Sequence, residues 1–139
     1  MIVVDTNVIH YCWVSGQNTE LAQGVWRRDP DWHAPFLWRS ELRNILAAYL
    51  RRGMMSRPQI DAILRAADHA LAQRSHHVGD AAVLEVVESS PLTAYDAEFV
   101  ALANGLSVPL VTADRAVLKA FPERALTMQA FAAGERSRN

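Results

Sequence analysis

The amino-acid sequence predicts an α/β fold: a parallel sheet with helices packed on both of its faces. Three features of the chain point to it. Short β-branched runs alternate with stretches whose apolar residues recur at helical spacing, the pattern of successive βαβ units. The first run, Ile2, Val3 and Val4, is continuously apolar, as suits a strand buried on both faces. An acid also follows two of the runs in the same way, Asp5 after residues 2–4 and Asp114 closely after residues 108–111. In open α/β sheets that edge, beyond the carboxyl ends of the strands, is where ligands bind.

The elements follow in order. After the strand over 2–4, Val8, Ile9, Tyr11 and Cys12 carry a helical pattern, and Gly16, Gln17 and Asn18 make a turn. Thr19 and Glu20 open a helix to about residue 28, stopped by Asp29, Pro30 and Asp31. Residues 32–35 form a short strand ended by Pro35. A strong helix over 37–52 then carries the stripe Trp38, Leu42, Ile45, Leu46 and Tyr49, with Gly53 at its C-terminus. Ser56 caps the next helix, with Pro58 in its first turn and Ile60, Ile63, Leu64, Ala67 and Leu71 on one face. The connection between these two helices is short, so they are expected to form an antiparallel hairpin.

Residues 75–78 read as a strand, and Gly79 and Asp80 turn into a short helix carrying Val83, Leu84 and Val87. Ser89, Ser90 and Pro91 break the chain before a helix over 92–104 that ends at Gly105. A strand over 108–111, a turn over 112–114 and a helix over 115–120 follow, then a strand over 125–128 and a helical end over 129–133. Residues 1–133 are expected to make one domain, with 134–139 a frayed polar tail.

A chain of 139 residues, half of it apolar and a fifth charged, can bury a substantial core. Cys12 is the single cysteine, which excludes an internal disulfide framework and fits a reducing compartment. The N-terminal apolar run ends at Asp5, too early for a leader segment, and no window is apolar for long enough to span a membrane. A cytoplasmic location is expected. Net charge is −1, so no global basic field announces nucleic acid. Lys119 is the only lysine among fourteen basic residues, the rest being Arg, whose planar fork matches phosphate oxygens; a GC-rich genome gives the same bias. Adjacent His76 and His77 would face opposite ways on a strand and make no metal motif.

Two further acids join Asp5 and Asp114. Glu41 lies early in the long helix, on the shoulder of its apolar stripe between Trp38 and Ile45. Asp96 heads the stripe Asp96, Phe99, Val100 and Ala103, the face expected to meet the sheet. Taken singly, Asp5, Asp96 and Asp114 could serve as helix caps or capping-box acids, and Glu41 could be a solvated helix acid. Independent caps do not predict two acids after strands at one sheet edge and two more on sheet-facing helix sides. If the strands over 2–4 and 108–111 are neighbours, Asp5 and Asp114 meet where strand order reverses. Four gathered carboxylates repel one another, and hard oxygen donors of this kind select Mg²⁺ or Mn²⁺ over zinc.

The ordered set of short motifs Val3-Val4-Asp5-Thr6-Asn7, Ser40-Glu41-Leu42, Thr93-Ala94-Tyr95-Asp96-Ala97 with Ala101-Leu102-Ala103, and Leu110-Val111-Thr112-Ala113-Asp114-Arg115 resembles the PIN-domain ribonucleases. Within them it is most similar to the VapC toxins of bacterial toxin–antitoxin pairs, over residues 2 to about 128. The resemblance implies a three-layer α/β/α sandwich, an acidic pocket holding Mg²⁺ or Mn²⁺, and endonucleolytic cleavage of RNA. It implies Asp5, Glu41, Asp96 and Asp114 as the catalytic acids, with Asp5, Asp96 and Asp114 on the metal. Asn7 and Thr112 are implied as polar neighbours and Glu98 as an accessory acid. No further Asp follows soon after Asp114, which leaves one metal or two open.

Phosphodiester hydrolysis needs an aimed nucleophile and neutralised phosphoryl charge, both of which a divalent cation supplies. Glu41 would position or deprotonate the attacking water, or join the ligands. The hydroxyls of Thr6 and Thr112 would fix carboxylates or contact phosphate. An acidic pocket needs a cationic rim to accept RNA, and Arg39, Arg43 and Arg115 are the candidates nearest in sequence. The resemblance further implies a homodimer and a VapB-type antitoxin lying along the two long helices. Trp13, Trp26, Trp32, Trp38, Met54 and Met55 are read as core, marking a partner site only where exposed. The alternatives are a PIN ribonuclease that processes RNA without being a toxin, and a catalytically idle α/β binding module. A haloacid-type phosphatase would want Asp where Asn7 stands, and a signalling receiver would want paired acids where Asp5 stands alone.

Overall fold

The computed structural model describes residues 1–136; residues 137–139 of the expected tail lie outside it. Five parallel strands form the sheet: β1 (Ile2–Val4), β2 (Trp32–Pro35), β3 (Ser75–His76), β4 (Leu110–Val111) and β5 (Ala125–Leu126). Their order is β3-β2-β1-β4-β5. The chain thus steps outward from β1 through β2 to β3, returns to the other side of β1 with β4, and ends with β5. β1 is the switch point, its Val3 facing His33 on one side and Leu110 on the other.

Eight α-helices flank the sheet among the described residues: α1 (Thr6–Trp13), α2 (Thr19–Arg28), α3 (Leu37–Arg51), α4 (Arg57–Leu71), α5 (Asp80–Glu88), α6 (Ala94–Leu106), α7 (Arg115–Ala120) and α8 (Met128–Ala132). α6 packs on β1, β2 and β4, whereas α3 and α4 pack on β2 and on α1, which gives the α/β/α sandwich. Local chemistry sets most boundaries as expected. Ser56 and Gln59 form a capping box at the start of α4, followed by Pro58. Gly53 takes φ +68° after α3, a conformation that spares it the Cβ clash.

The core is built from both layers and the sheet, with Trp32, Trp38, Phe99, Ile9, Leu42, Leu46 and Leu71 fully buried. Trp13, Trp26 and Trp32 meet edge to face at centroid separations of 5.0–5.7 Å. Trp38 Nε1 donates to Ser75 Oγ, which in turn donates to Leu71 O, so its indole is buried without an orphaned donor. The tryptophans are therefore core residues or packed against it, while Met54 stands 62% exposed.

Several boundaries and one helix face differ from expectation, among them β3, which ends at His76 rather than at residue 78. α6 starts at Ala94, because the Thr93 hydroxyl accepts from Asp96 N and makes Thr93 the cap. It also runs through Gly105, and the left-handed residue is Ser107 at φ 55°, where Val108 N can reach Ala103 O and close the helix. α5 buries Val83 and Val86, leaving Leu84 54% exposed. β4 is only two residues long, since Val108 is taken up in that closure and Pro109 has no N–H to give. The last strand stops at Leu126, because Thr127 caps α8 through Ala130 N. A serine in the left-handed region carries a steric cost that glycine lacks. Ser107→Gly is accordingly expected to raise stability by about 0.5–1 kcal/mol, read as a higher urea midpoint.

Candidate active site

The site is assembled where β1 and β4 end side by side. Asp5 is the residue after β1, and its backbone N donates to Val111 O at 3.0 Å, so the ladder itself carries the acid past the sheet edge. Its carboxylate accepts from Thr6 N at 2.7 Å through Oδ1 and from Thr112 Oγ1 at 2.7 Å through Oδ2. The same Thr112 oxygen accepts from Asp114 N at 3.0 Å. One buried hydroxyl thereby ties the two strand ends together. Asp114 caps α7 through Ala116 N and Val117 N, so capping and a place in the site coexist in one residue. Asn7 Oδ1 accepts weakly from Ala113 N at 3.4 Å, bracing the same loop.

Glu41 reaches the site from α3, where Thr6 Oγ1 donates to its Oε1 at 2.7 Å. Asp96 reaches it from the first turn of α6. Asp5, Thr6, Asn7, Glu41, Asn44, Ile45, Asp96 and Asp114 together line one cavity of about 290 Å³. Asn44 did not stand out in the sequence, although its spacing of three from Glu41 places it on the same helix face.

The electrostatics follow from burial and crowding. Asp5 is 8% exposed, and its carboxyl is pushed up to about 6, chiefly by burial. The hydrogen bonds from Thr112 and Thr6 oppose that rise, while the charges of Asp96 and Glu41 add to it. Burial likewise raises Glu41, opposed by its bond from Thr6 and assisted by Asp96 and Glu98. Asp96 is raised by burial and then by Asp114. Four acids on three structural layers thus feel one another.

Glu98 lines a neighbouring cavity instead, with its carboxyl raised by burial against the opposing pull of His77. Of the expected rim, Arg43 and Arg115 are exposed. Arg39 is half-buried, stacked over Trp38 and ion-paired with Asp68 of α4, so it ties α3 to α4 rather than offering a free cation.

Every polar side chain lining the acidic cavity offers oxygen, and none is His or Cys, which suits a hard divalent cation. Among the described residues, no three acid, His or Cys side chains already stand in a metal-holding arrangement. The carboxylates face a common space but would have to draw inward around an ion.

In open α/β sheets the crevice beyond the switch point is where ligands bind, and here the carboxylates gather in it. The PIN domain family model matches residues 2–123, and the chain belongs to that family of nucleases. The crystal structure of PAE2754 from Pyrobaculum aerophilum is similar, with a TM-score of 0.75 at 19% identity, over 95% of this chain and 93% of that one. The crystal structure of FitAcB from Neisseria gonorrhoeae is also similar, with a TM-score of 0.71 at 18% identity, over 93% of this chain and 99% of that one. At such identities these two likenesses speak to the fold. The sequence matches no curated protein. No helix among the described residues is long and apolar enough to cross a membrane.

Proposed function

We propose that the protein is a Mg²⁺- or Mn²⁺-dependent endoribonuclease acting as the toxin of a VapBC-type pair. One observation carries the nuclease assignment: Asp5, Glu41, Asp96 and Asp114 line a single cavity beyond β1 and β4, in a chain of the PIN family. Asp5, Asp96 and Asp114 would hold the cation. When bound, it supplies Lewis acidity at the phosphoryl group and makes the nucleophilic water more acidic. Glu41, aimed by Thr6, accepts the proton of that water as it attacks. Thr112 holds Asp5 toward the cavity, and Arg43 and Arg115 meet the flanking phosphates of the RNA.

The toxin assignment rests on the motif likeness to VapC proteins. A VapB-type antitoxin would lie along α3 and α4, where Leu50 and Met54 expose apolar surface near their junction. The protein would act in the cytoplasm as a homodimer.

The direct test is incubation of the purified protein with structured RNAs. Cleavage is expected with Mg²⁺ or Mn²⁺ and is expected to stop on adding EDTA; cleavage that persists in EDTA would refute the assignment. A second expectation isolates Glu41. Thr6→Val keeps the volume at this buried position but removes the bond to Glu41, lifting its carboxyl further. The expected result is a roughly tenfold fall in kcat, within the range for general-base catalysis, and an acid limb of the pH–rate profile displaced to higher pH. An unmoved limb would mean that Glu41 is not the base.

A further inference from the structure

Next to the acidic cavity lies a second one of about 440 Å³, over the ends of β2 and β3, to which the chemistry above assigns no role. It adjoins the first through α6: Tyr95 precedes Asp96, and Glu98 acts electrostatically on Glu41. Two aromatic rings at this cavity are unusually open, Phe36 at 55% and Tyr95 at 65% exposed. Neither is used by the core. A solvent-facing aromatic pair beside a nuclease centre is a platform on which unstacked bases can lie.

The polar lining is backed by a hydrogen-bonded relay. Asp31 can only accept, so His33 Nε2, at 3.0 Å from Asp31 Oδ1, is the donor. His33 Nδ1 lies 2.8 Å from His76 Nε2, so the two rings are hydrogen-bonded, and the His76 ring lines the cavity. Arg74 Nε, at 2.9 Å from the same Asp31 oxygen, holds the head of this relay. The carboxylates of Asp80 and Glu98 add acceptors. The cavity therefore combines aromatic faces with two carboxylates, beside the rings of His76 and His77, and the carboxylates favour a base whose edge carries adjacent N–H donors. Guanine has such an edge in N1–H and its exocyclic amine.

Resting on the nuclease function proposed above, we propose that this second cavity is a base-binding subsite that seats an unpaired guanine of the RNA beside the scissile phosphate. Phe36 and Tyr95 supply the stacking surface, Glu98 receives the paired donors, and Asp31 acts through His33 to hold the His76 ring in place.

The test uses Asp5→Asn protein, in which RNA survives, titrated with fluorescent single-stranded oligoribonucleotides containing one guanine, or adenine at the same position. Guanine is expected to bind more tightly. Adding Phe36→Ala or Tyr95→Ala, both at exposed positions, is expected to weaken binding about tenfold or more, as loss of one stacked base does. Adding Glu98→Gln is expected to remove most of the preference for guanine while leaving adenine affinity unchanged. Equal affinity for the two oligonucleotides, or unchanged affinity in both aromatic variants, would overturn the proposal. So would aromatic variants that alter sedimentation instead of RNA binding, since the face would then be a contact between copies. Cleavage by the parent protein is scored separately, so a protein that binds guanine but cuts no RNA refutes the nuclease and not the subsite.

Discussion

Asp5→Asn is expected to lower RNA cleavage by roughly 10²-fold or more while making the metal-free protein more stable near neutral pH, a pairing of effects that few substitutions produce. The loss of activity follows from removing one carboxylate of the four that line the cavity, and the only one buried to 8% exposure. The gain in stability follows from the same burial. A carboxyl pushed up to about 6 from 3.8 is a charge the fold opposes at neutral pH. Each unit of that shift corresponds to about 1.4 kcal/mol, so neutralisation is worth up to about 3 kcal/mol. Asparagine can keep the local bonds: its oxygen accepts from Thr6 N, and the Thr112 hydroxyl turns to accept from the amide. Thermal unfolding in EDTA, near pH 7.5, measures the gain. With Mg²⁺ or Mn²⁺ at about a hundred times its dissociation constant, the parent protein should gain about 2.7 kcal/mol and the variant little. If Asp5 were only the cap of α1, Asn would serve almost equally well there, cleavage would not fall, and Mg²⁺ or Mn²⁺ would stabilise parent and variant alike.

That Asp5 and Asp114 meet was legible because each follows an apolar run, and because a parallel sheet that starts at β1 must return beside it. The long helices were legible for a related reason: α3 and α4 carry apolar stripes over four turns, and Ser56, Pro58 and Gly53 punctuate them. Legibility failed where short-range signals competed. Gly105 looked like the end of α6, but the bond from Val108 to Ala103 put the left-handed turn at Ser107. Arg39 looked like a free rim cation until the packing of α4 against α3 brought Asp68 to it. The second cavity was invisible for a deeper reason. Phe36, His76, Leu84 and Glu98 share no periodicity, and only the pairing of β2 with β3 and the seating of α5 on α6 bring them together. Acids placed by the sheet can be read from strand-then-acid spacing, whereas a cavity walled by four separate elements has no such signature.

The metal-free protein is also expected to lose stability as the pH rises from about 4.5 to 7.5, the reverse of the usual trend for a protein held by ion-paired carboxylates. Asp5 has a folded pKa of about 6 and an ordinary value of 3.8. Between these values the folded chain keeps a proton that the unfolded chain has released. The stabilisation is thus complete below the lower value and lost as pH climbs through the upper one. Over this window Asp5 alone accounts for about 2 kcal/mol. Glu41, Asp96 and Glu98 are raised by burial as well and act in the same direction. Three groups oppose them: Asp31, lowered by its contacts with His33 but largely in solvent, His10, lowered by burial, and His76, lowered by burial and by His33. The two histidines give stability that is lost on acidification below 6.5, so they flatten the lower part of the curve without reversing the acids. Urea unfolding in EDTA at four pH values across the window reads the slope directly. Asp5→Asn should remove most of it, and saturating Mg²⁺ or Mn²⁺ should turn it upward, because cation binding requires the deprotonated carboxylates that the empty fold resists. A metal-free curve that climbs with pH would mean that the four acids do not share one desolvated space, and the cavity would lose its claim to be a catalytic centre.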